Sequence, residues 1–527
     1  MTDDIEIICV HDNDDFSAPI EYAFAQILSA LDVRCKVMHL RELRQERGNP
    51  NKELSISYTH DPVDLGTEEQ IHIYASGFFG KNYLKRDSLP PVPLKKYGGL
   101  PVIYHGPGDD EAWVRRSEGL IETNIDIIAS SFFKLSRYEE VVLDAKDEHD
   151  RFPASAGLAF REDFMERPIV NEYIELLGSW IQSLRPDLGR KPLWPEGKEF
   201  AMCLTYDVDT IQMYRLSFMA RAALDRIRLF LMPRTKQKTK QINSGAEARL
   251  SSLRRIGVKD ALHLMYDWTK VMLKLKRDPH DTFDYMLDLE RQYGFKSSFY
   301  FMAGGNSSFD NRYTIAEPRA RKLVRQIEAR GNEIGLHGSY NSYDSLKQMA
   351  QEKARLDTIV ARKRYGCRQH YLRWRVPDTW RLQQQVGLLY DTTLSFADHA
   401  GFRCGICLPF KPFDIVENRE LDIWEVPLIV QEVTLKGANY QNLSPEEAYR
   451  EVVKLIQAAK KLHGVFVLLW HNSSFDSIGG WAGWKDVYEK VMRYISEQNA
   501  WVADGRDIVL WWRQRAGMAS NKTPTER

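Results

Sequence analysis

Short apolar runs recur through the last two thirds of the chain, and five of them carry polar or charged residues at or near the end. They lie at 201–208, 296–302, 333–337, 370–375, 388–396, 423–433 and 464–471. Helical patterns, for example at 320–330 and 445–462, separate them. Strands that alternate with helices are typical of a parallel sheet, either doubly wound or closed as a (β/α) barrel. In a barrel the carboxyl ends of the strands share one face, so the polar ends predict an enzyme.

The first of these runs, at 201–208, ends in a pair of carboxylates. Alternate side chains of a strand point to opposite faces, so Asp207 and Asp209 share a face. Two like charges on one face repel each other unless a metal ion, a shared proton or a cationic side chain lies nearby. Such pairs are common at catalytic sites, but the residues alone leave a solvated strand end open.

The composition is that of a globular protein. Hydrophobic residues make up 43% and charged residues 28% of the 527 residues, and Lys+Arg 73 balances Asp+Glu 73. This balance argues against a dedicated nucleic-acid binder. Six scattered cysteines fit a reducing compartment, and no run approaches the roughly 18 apolar residues of a membrane span. With no leader pattern at the start, we expect a cytoplasmic protein.

The length predicts two or three domains. Residues 1–190 alternate strand-like and helix-like segments and predict a small α/β domain of unknown role, without a phosphate-binding glycine fingerprint. The second domain is expected at 196–515, and a disordered tail at 516–527. Within the first domain, the charged segment 132–140 is either a docking or substrate surface or, as we expect, an ordinary helix with its charged face in water.

A basic helical insertion interrupts the second domain at about 210–280. The part at 211–240 combines many lysines and arginines with an apolar side. A basic amphipathic helix can lie on an anionic membrane surface, here the inner membrane face, or bind an anionic ligand. The alternative is a helical hairpin that packs on the second domain with its positive rim in water.

Five stretches, in order along the chain, resemble the motifs of the polysaccharide deacetylases, the NodB-homology domain of carbohydrate esterase family 4. They are Asp207-Val208-Asp209, the segment 333–339, Arg375-Val376-Pro377, the segment 390–394 and Leu469-Trp470-His471. The resemblance covers about 199–515. It implies an irregular (β/α) barrel of deacetylase type, preceded by the smaller α/β domain. It also implies removal of N-acetyl groups from amino sugars with a divalent metal, usually zinc.

The resemblance also implies roles for single residues. Asp207 is the general base, and Asp209 and His337 are metal ligands. Arg375 holds Asp207 in place, and His471 protonates the leaving amine. Asp391 supports the His471 side of the site.

One departure from the family pattern concerns the metal. The family places a second histidine four residues after the first, and this chain has Asn341 there. An amide oxygen is a poor zinc ligand. Either Asn341 completes a weaker site, or His399 or His370 takes its place, or no metal binds.

Three further residues are candidates for substrate contact. The segment 398–407 reads as a loop over the site, from which His399 and Arg403 contact the glycan. Trp470 either stacks on a sugar ring or packs in the core. The expected substrate is an N-acetylated sugar or glycan precursor, nucleotide-linked or lipid-linked if the protein is cytoplasmic. The alternatives are an inactive deacetylase fold that binds glycans or acts as a scaffold, and a metal-independent hydrolase of another C–N bond.

Overall fold

The structure, a computed structural model, describes residues 6–45, 54–108, 111–188, 192–214, 258–310, 313–477 and 480–515. Two large sheets organise these residues, one in the first part of the chain and one after residue 199. The predicted tail at 516–527 and residues 215–257 of the basic insertion lie outside the described residues, and with them most of the predicted membrane contact. Among the described residues, no helix is both long and apolar enough to cross a membrane.

The first sheet has six strands in the order β2-β1-β3-β4-β8-β7. The strands of this part of the chain are β1 (Glu6–His11), β2 (Arg34–His39), β3 (Leu54–Thr59), β4 (Glu69–Tyr74), β5 (Lys95–Tyr97), β6 (Leu100–Val102), β7 (Val114–Ser117) and β8 (Leu120–Thr123). All neighbours in the sheet are parallel except β7 and β8, and β5 and β6 form a separate hairpin. The helices of this part are Ser17–Ala30, Leu40–Gln45, Ile127–Leu135, Tyr138–Leu143, Leu158–Arg161 and Ile169–Leu184.

The second sheet has nine strands, and all of its pairings are parallel. Its strands, with the small hairpin β14–β15 beside it, are β9 (Phe200–Val208), β10 (Ser297–Met302), β11 (Glu333–Gly338), β12 (Gly366–Gln369), β13 (Tyr390–Asp391), β14 (Phe413–Asp414), β15 (Arg419–Glu420), β16 (Trp424–Glu425), β17 (Val430–Gln431), β18 (Val465–His471) and β19 (Ala500–Val502). The order is β16-β13-β12-β11-β10-β9-β18-β17, with β19 also beside β9. This curled parallel sheet, open between β16 and β17, confirms the predicted irregular (β/α) barrel.

Helices cover the outside of the barrel. They are Phe283–Tyr293, Pro318–Ala329, Leu346–Asp357, Asp378–Gln385, Glu432–Lys436, Pro445–Lys461, Trp484–Ser496 and Gly505–Arg515, and a further helix, Val258–Met272, precedes them in the chain. The helix Pro445–Lys461 shows why the sequence folds this way: Ser444 and Glu447 form a capping box at its start. Its buried residues Val452, Leu455, Ile456 and Ala459 recur at helical spacing and pack on the sheet. Because both faces of the sheet are covered, β9 is buried along its whole length.

The two sheets share one continuous apolar core. The charged segment 132–140 lies in the contact between them, and the side chains of Lys134, Arg137 and Glu139 are buried. Glu140 accepts two hydrogen bonds from Arg403, at 2.8 and 2.7 Å. The expectation that this segment turns its charged face to water is therefore wrong, because its charges pair with one another and with Arg403 inside the protein. The domain boundaries at 190 and 196 stay predictions.

Candidate active site

Five polar side chains meet at the carboxyl ends of the barrel strands. Strand register places His471, at the end of β18, directly beside Asp207 of β9. Asp209 follows β9, His337 lies near the end of β11, and His370 comes directly after β12. Because parallel strands end at the same edge of a sheet, these residues converge although they are far apart in the sequence.

Asp209, His337 and His370 form a group of potential metal ligands. Oδ1 of Asp209 lies 3.2 Å from Nε2 of His337 and 3.5 Å from Nδ1 of His370. The two ring nitrogens are 3.0 Å apart. All three ligand atoms lie within 4.8 Å of one another. The His337 side chain is only 1% exposed, whereas that of Asp209 is 32% exposed and marks the open side of the group.

The hydrogen bonds behind the two histidines determine what the rings present to Asp209. Nδ1 of His337 donates to the carbonyl oxygen of Arg368 at 2.9 Å, and Nε2 of His370 donates to that of Phe309 at 2.9 Å. A carbonyl oxygen only accepts, so in a neutral ring the opposite nitrogen carries a lone pair. When both rings are neutral, two lone pairs therefore converge with the carboxylate oxygen Oδ1 of Asp209. Such a donor set fits zinc or a similar divalent cation.

The protonation states of these three side chains depend on their burial and on the charges around them. Burial disfavours the ionised carboxylate of Asp209, but the charges of His370 and His471 and the hydrogen bond from His337 outweigh it and hold the pKa well below its usual range. Burial lowers the pKa of His370, and Asp209 offsets this only in part. For His337, the negative charges of Asp207 and Asp209 overcome burial and raise the pKa. Asp209 is therefore ionised and able to bind a cation.

Asn341, the residue predicted at the position of the second histidine, lies outside this group. It is exposed, and its amide oxygen accepts a hydrogen bond from Arg373 at 3.1 Å. His370, one of the two alternatives, lies in the group, whereas the amide oxygen of Asn341 is engaged by Arg373, so that a ligand role of Asn341 stays a prediction. The other alternative, His399, lies beside Asp398 at 3.5 Å with its ring against Phe160.

The arginine beside Asp207 is Arg368, not Arg375. Nη1 of Arg368 lies 3.8 Å from Oδ1 of Asp207, and the Arg368 side chain is 0% exposed. Arg375 is 40% exposed and pairs with Asp150 at 3.1 Å and with Asp344 at 3.6 Å. The sequence does hold a signal for Arg368, because an arginine inside a buried strand needs a charged or polar partner.

His471 is supported by Glu432, which the sequence reasoning missed. Nδ1 of His471 donates to Oε1 of the fully buried Glu432 at 2.7 Å, and the hydroxyl of Ser474 donates to the same oxygen at 2.7 Å. Burial disfavours the imidazolium, but the charge and hydrogen bond of Glu432, with Asp209 and Asp207, raise the pKa of His471 to about 10. Nε2 of His471 lies 3.8 Å from Oδ2 of Asp209, so it faces the ligand group.

Asp391, predicted to support His471, instead belongs to a hydrogen-bond network with Gln383 and Thr393. Its carboxylate accepts hydrogen bonds from Gln383 at 2.6 Å and from the Thr393 hydroxyl at 2.8 Å. Burial raises the pKa of Asp391 to about 6, against the hydrogen bonds from Thr393 and Gln383. The predicted role beside His471 is therefore corrected in favour of Glu432.

Two of the predicted substrate contacts are buried. Arg403 is bound by Glu140 in the contact between the two sheets, so it is not free to reach a glycan. Trp470 is fully buried and packs against Phe475, Trp484 and Tyr488. Both predictions are corrected, since these side chains stabilise the fold. Contact between the half-exposed His399 and substrate stays a prediction.

Residues 8–186 match a family model described as "Family of unknown function (DUF7033)". No curated protein shows significant similarity to the chain. Among solved structures, the chain is similar to a Mycobacterium smegmatis protein assigned as a polysaccharide deacetylase, at 18% identity and a TM-score of 0.38, with 63% of this chain and 96% of that one covered. A Puue allantoinase matches at 14% identity and a TM-score of 0.37, with coverage of 62% and 95%. A Pseudomonas aeruginosa PAO1 protein, also assigned as a polysaccharide deacetylase, matches at 14% identity and a TM-score of 0.37, with coverage of 63% and 97%. At these values the similarity carries no inference about the activity of this chain.

Proposed function

We propose that this protein is a hydrolase that removes an N-acetyl group from an amino sugar in a glycan or glycan precursor. One observation carries the proposal: the ligand group Asp209, His337 and His370 lies between a buried aspartate and a histidine with its own carboxylate partner. A base, an acid and a cation site on one face are the components that amide hydrolysis needs. The resemblance of the sequence motifs to polysaccharide deacetylases supports the same chemistry.

Asp209, His337 and His370 would hold the cation, and this set of nitrogen and oxygen ligands favours zinc. When bound, a divalent cation polarises the amide carbonyl and makes a water molecule more acidic. The carbonyls of Arg368 and Phe309 fix the orientation and the tautomer of the two histidines before any ligand arrives. The site is therefore largely preorganised by the chain itself.

Asp207 acts as the general base. It is almost fully buried, and Arg368 lies beside its carboxylate on one side and His337 on the other. Oδ1 of Asp207 has no hydrogen-bond partner in the described part of the chain, so it can accept the proton of an attacking water molecule. The positive charge of Arg368 orients the carboxylate, the role that the resemblance implied for Arg375.

His471 acts as the general acid. With its pKa raised to about 10, the ring is an imidazolium at neutral pH and carries a proton on Nε2. The leaving amine takes that proton as the C–N bond breaks. Glu432 holds the ring by Nδ1 and stabilises its charge, so that Nε2 stays directed toward Asp209.

Asn341 in place of the second motif histidine favours an inactive deacetylase fold. His370 supplies a ring nitrogen to the ligand group and favours an active site instead. A metal-independent hydrolase has no specific observation in its favour.

Metal analysis of the purified protein, combined with acetate release, tests the proposal. The substrates are N-acetylglucosamine oligomers and nucleotide-linked and lipid-linked N-acetylated sugars. We expect zinc-stimulated release, lowered about 10²-fold or more by Asp207→Ala and by His471→Ala. Release that is unchanged in both variants would show that the assigned roles are wrong.

A further inference from the structure

The segment 144–151 belongs to the first part of the chain but lies on the loops that follow β11 and β12. Nδ1 of His149 is 2.9 Å from the hydroxyl oxygen of Tyr340. Nη1 of Arg151 donates to the carbonyl of Tyr371 at 3.1 Å. Asp150 accepts a hydrogen bond from the hydroxyl of Tyr343. This segment is therefore attached to the two loops that carry the candidate site.

Two arginines of the barrel hold the segment in place. Arg373, itself mostly buried, donates to the carbonyls of His149 and Tyr340 at 2.7 Å each and to the hydroxyl of Tyr343 at 3.0 Å. Nη2 of Arg375 donates to Asp150 at 3.1 Å. The arginine that the resemblance assigned to the general base thus binds the segment instead. The loops of the site are built around a piece of chain that lies outside the barrel.

His149 completes a cluster of aromatic rings, defined here as the aromatic rim: His149, Phe309, Tyr340 and Tyr371. The His149 ring lies 5.4 Å from Phe309, 5.9 Å from Tyr340 and 4.9 Å from Tyr371, centroid to centroid. Phe309 and Tyr340 are stacked at 4.4 Å. All four side chains are half-buried, so part of each remains accessible.

The aromatic rim borders the ligand group directly. The ring of His370 packs edge-on against Tyr371 at 4.7 Å, and its Nε2 donates to the carbonyl of Phe309. A molecule whose reacting amide lies at Asp209 would therefore extend past His370 onto the rim. Half-exposed aromatic faces with hydroxyl and imidazole edges suit a ring that has both C–H faces and hydroxyl groups.

Resting on the proposed function, we infer that the segment 144–151 positions His149 as one wall of the substrate site, where this ring contacts a sugar next to the one that loses its acetyl group. Binding sites are common where two parts of a chain meet, because each part contributes a wall. The hydrogen bonds of Arg373 and Arg375 fix this wall before binding, which lowers the entropic cost of holding a ligand. The first part of the chain thus sets which glycans the barrel accepts.

The test compares two substrates in the wild type and two variants. The N-acetylglucosamine tetramer reaches the aromatic rim, whereas 4-nitroacetanilide, a small acetylated arylamine, does not extend beyond the reacting amide. We expect His149→Ala to raise KM for the tetramer about five- to tenfold with little change in kcat. Its kcat/KM for the small amide and its zinc content should stay within about twofold of wild type. Glu148→Ala, at an exposed neighbour in the same segment, is the matched control and should match wild type with both substrates.

An unchanged KM of His149→Ala for the tetramer, with acetate release in the wild type, would overturn the inference and leave the proposed function intact. An equal loss of kcat/KM with the tetramer and with the small amide would also overturn the inference. If His149→Ala does not fold, His149→Phe keeps a ring but loses the contact with the Tyr340 hydroxyl, and a raised KM for the tetramer alone is again expected. If the wild type releases no acetate, the proposed function fails. Calorimetric binding of the tetramer then tests whether His149 contacts a sugar. Weaker binding by His149→Ala than by Glu148→Ala supports the wall, whereas equal binding or none contradicts it.

Discussion

Both sheets of this protein end parallel strands in histidines near carboxylates, but among the residues that the structure describes only the barrel sheet assembles a group of potential metal ligands. His11 and His39 end β1 and β2 of the first sheet, with ring centroids 5.3 Å apart. His11 is 0% exposed, and neither of its ring nitrogens has a hydrogen-bond partner among the described residues. In the barrel, His337 and His370 each donate to a carbonyl on the far side and turn the other nitrogen toward Asp209.

The difference shows what a site needs beyond its position at a strand end. Burial lowers the pKa of His11 to about 4, only partly offset by nearby carboxylates, so this ring is neutral at pH 7 and packs as part of the protein interior. His39 pairs with Asp14 at 3.1 Å, and that carboxylate is half exposed and also bound by Arg41. The hydrogen bonds behind the rings, and a carboxylate oxygen within 3.5 Å of both facing ring nitrogens, distinguish the barrel group.

The largest expected effect separates the two groups of histidines. His337→Asn removes a ligand, so we expect kcat/KM for acetate release to fall about 10³-fold or more, with loss of bound zinc. His39→Asn in the first sheet should keep kcat/KM and bound zinc within about twofold of wild type. Acetate release and metal content measured side by side check this. Equal losses of activity and zinc in both variants would show that the barrel histidines do not form a distinct ligand group.

The two arginines of the barrel give the next effect. Arg368→Lys keeps a charge but withdraws the guanidinium from Asp207, and we expect kcat to fall about 10- to 100-fold. Arg375→Lys should leave kcat within about threefold, because this residue binds Asp150. Steady-state kinetics with the small amide measures both, and unfolding curves control for stability. A larger loss of kcat in Arg375→Lys would restore the role implied by the motif.

The pH dependence tests the pairing of His471 with Glu432. The acid must be protonated to act, and its pKa is raised to about 10, so activity should be retained through neutral pH and fall only in the alkaline range. Glu432→Gln removes the charge that favours the imidazolium, so the alkaline limb of kcat/KM should move to lower pH by about one unit or more. Asp391→Asn is the matched control and should leave that limb in place. A limb that Glu432→Gln does not move contradicts the pairing.

The smallest effect concerns His11 and the free energy of unfolding. Its pKa of about 4 in the folded protein lies below the ordinary value of 6.5, so the unfolded chain binds the proton more readily. Stability from this group is therefore lost as the pH falls from 6.5 to 4, by up to about 3 kcal/mol. Denaturant unfolding at pH 7 and pH 4.5 measures how much free energy of unfolding each protein loses on acidification. This loss should be smaller in His11→Leu than in wild type by about 1–2 kcal/mol. An equal loss in both proteins would mean that His11 does not stay neutral.

Much of the barrel could be predicted from the sequence, because apolar runs and strand ends are local features. Asp207, Asp209, His337 and His471 each follow or end such a run, and the parallel arrangement brings them together. The prediction failed where the chain turns. A strand was expected at 370–375, but the strand ends at Gln369, and Tyr371 and Leu372 take positive φ values of 61° and 54°.

That turn redirects the side chains that follow it. His370 faces Asp209, and Arg375 is carried away from the site toward Asp150. Local sequence patterns also could not predict contacts between segments that are far apart in the chain. Glu432 and His471 are 39 residues apart, and His149 and Tyr340 are 191 residues apart, so no spacing rule connects them. Such pairs become visible only once the fold places their strands and loops side by side.

Zinc titration by calorimetry at pH 7.5 on the wild type, His370→Ala and Asn341→Ala tests the central claim most directly. If Asp209, His337 and His370 are the ligands, the wild type and Asn341→Ala bind one zinc ion per chain with equal affinity, and His370→Ala binds it at least about 100-fold more weakly. Loss of binding in Asn341→Ala with full affinity in His370→Ala would contradict the account, as would a wild type that binds no zinc.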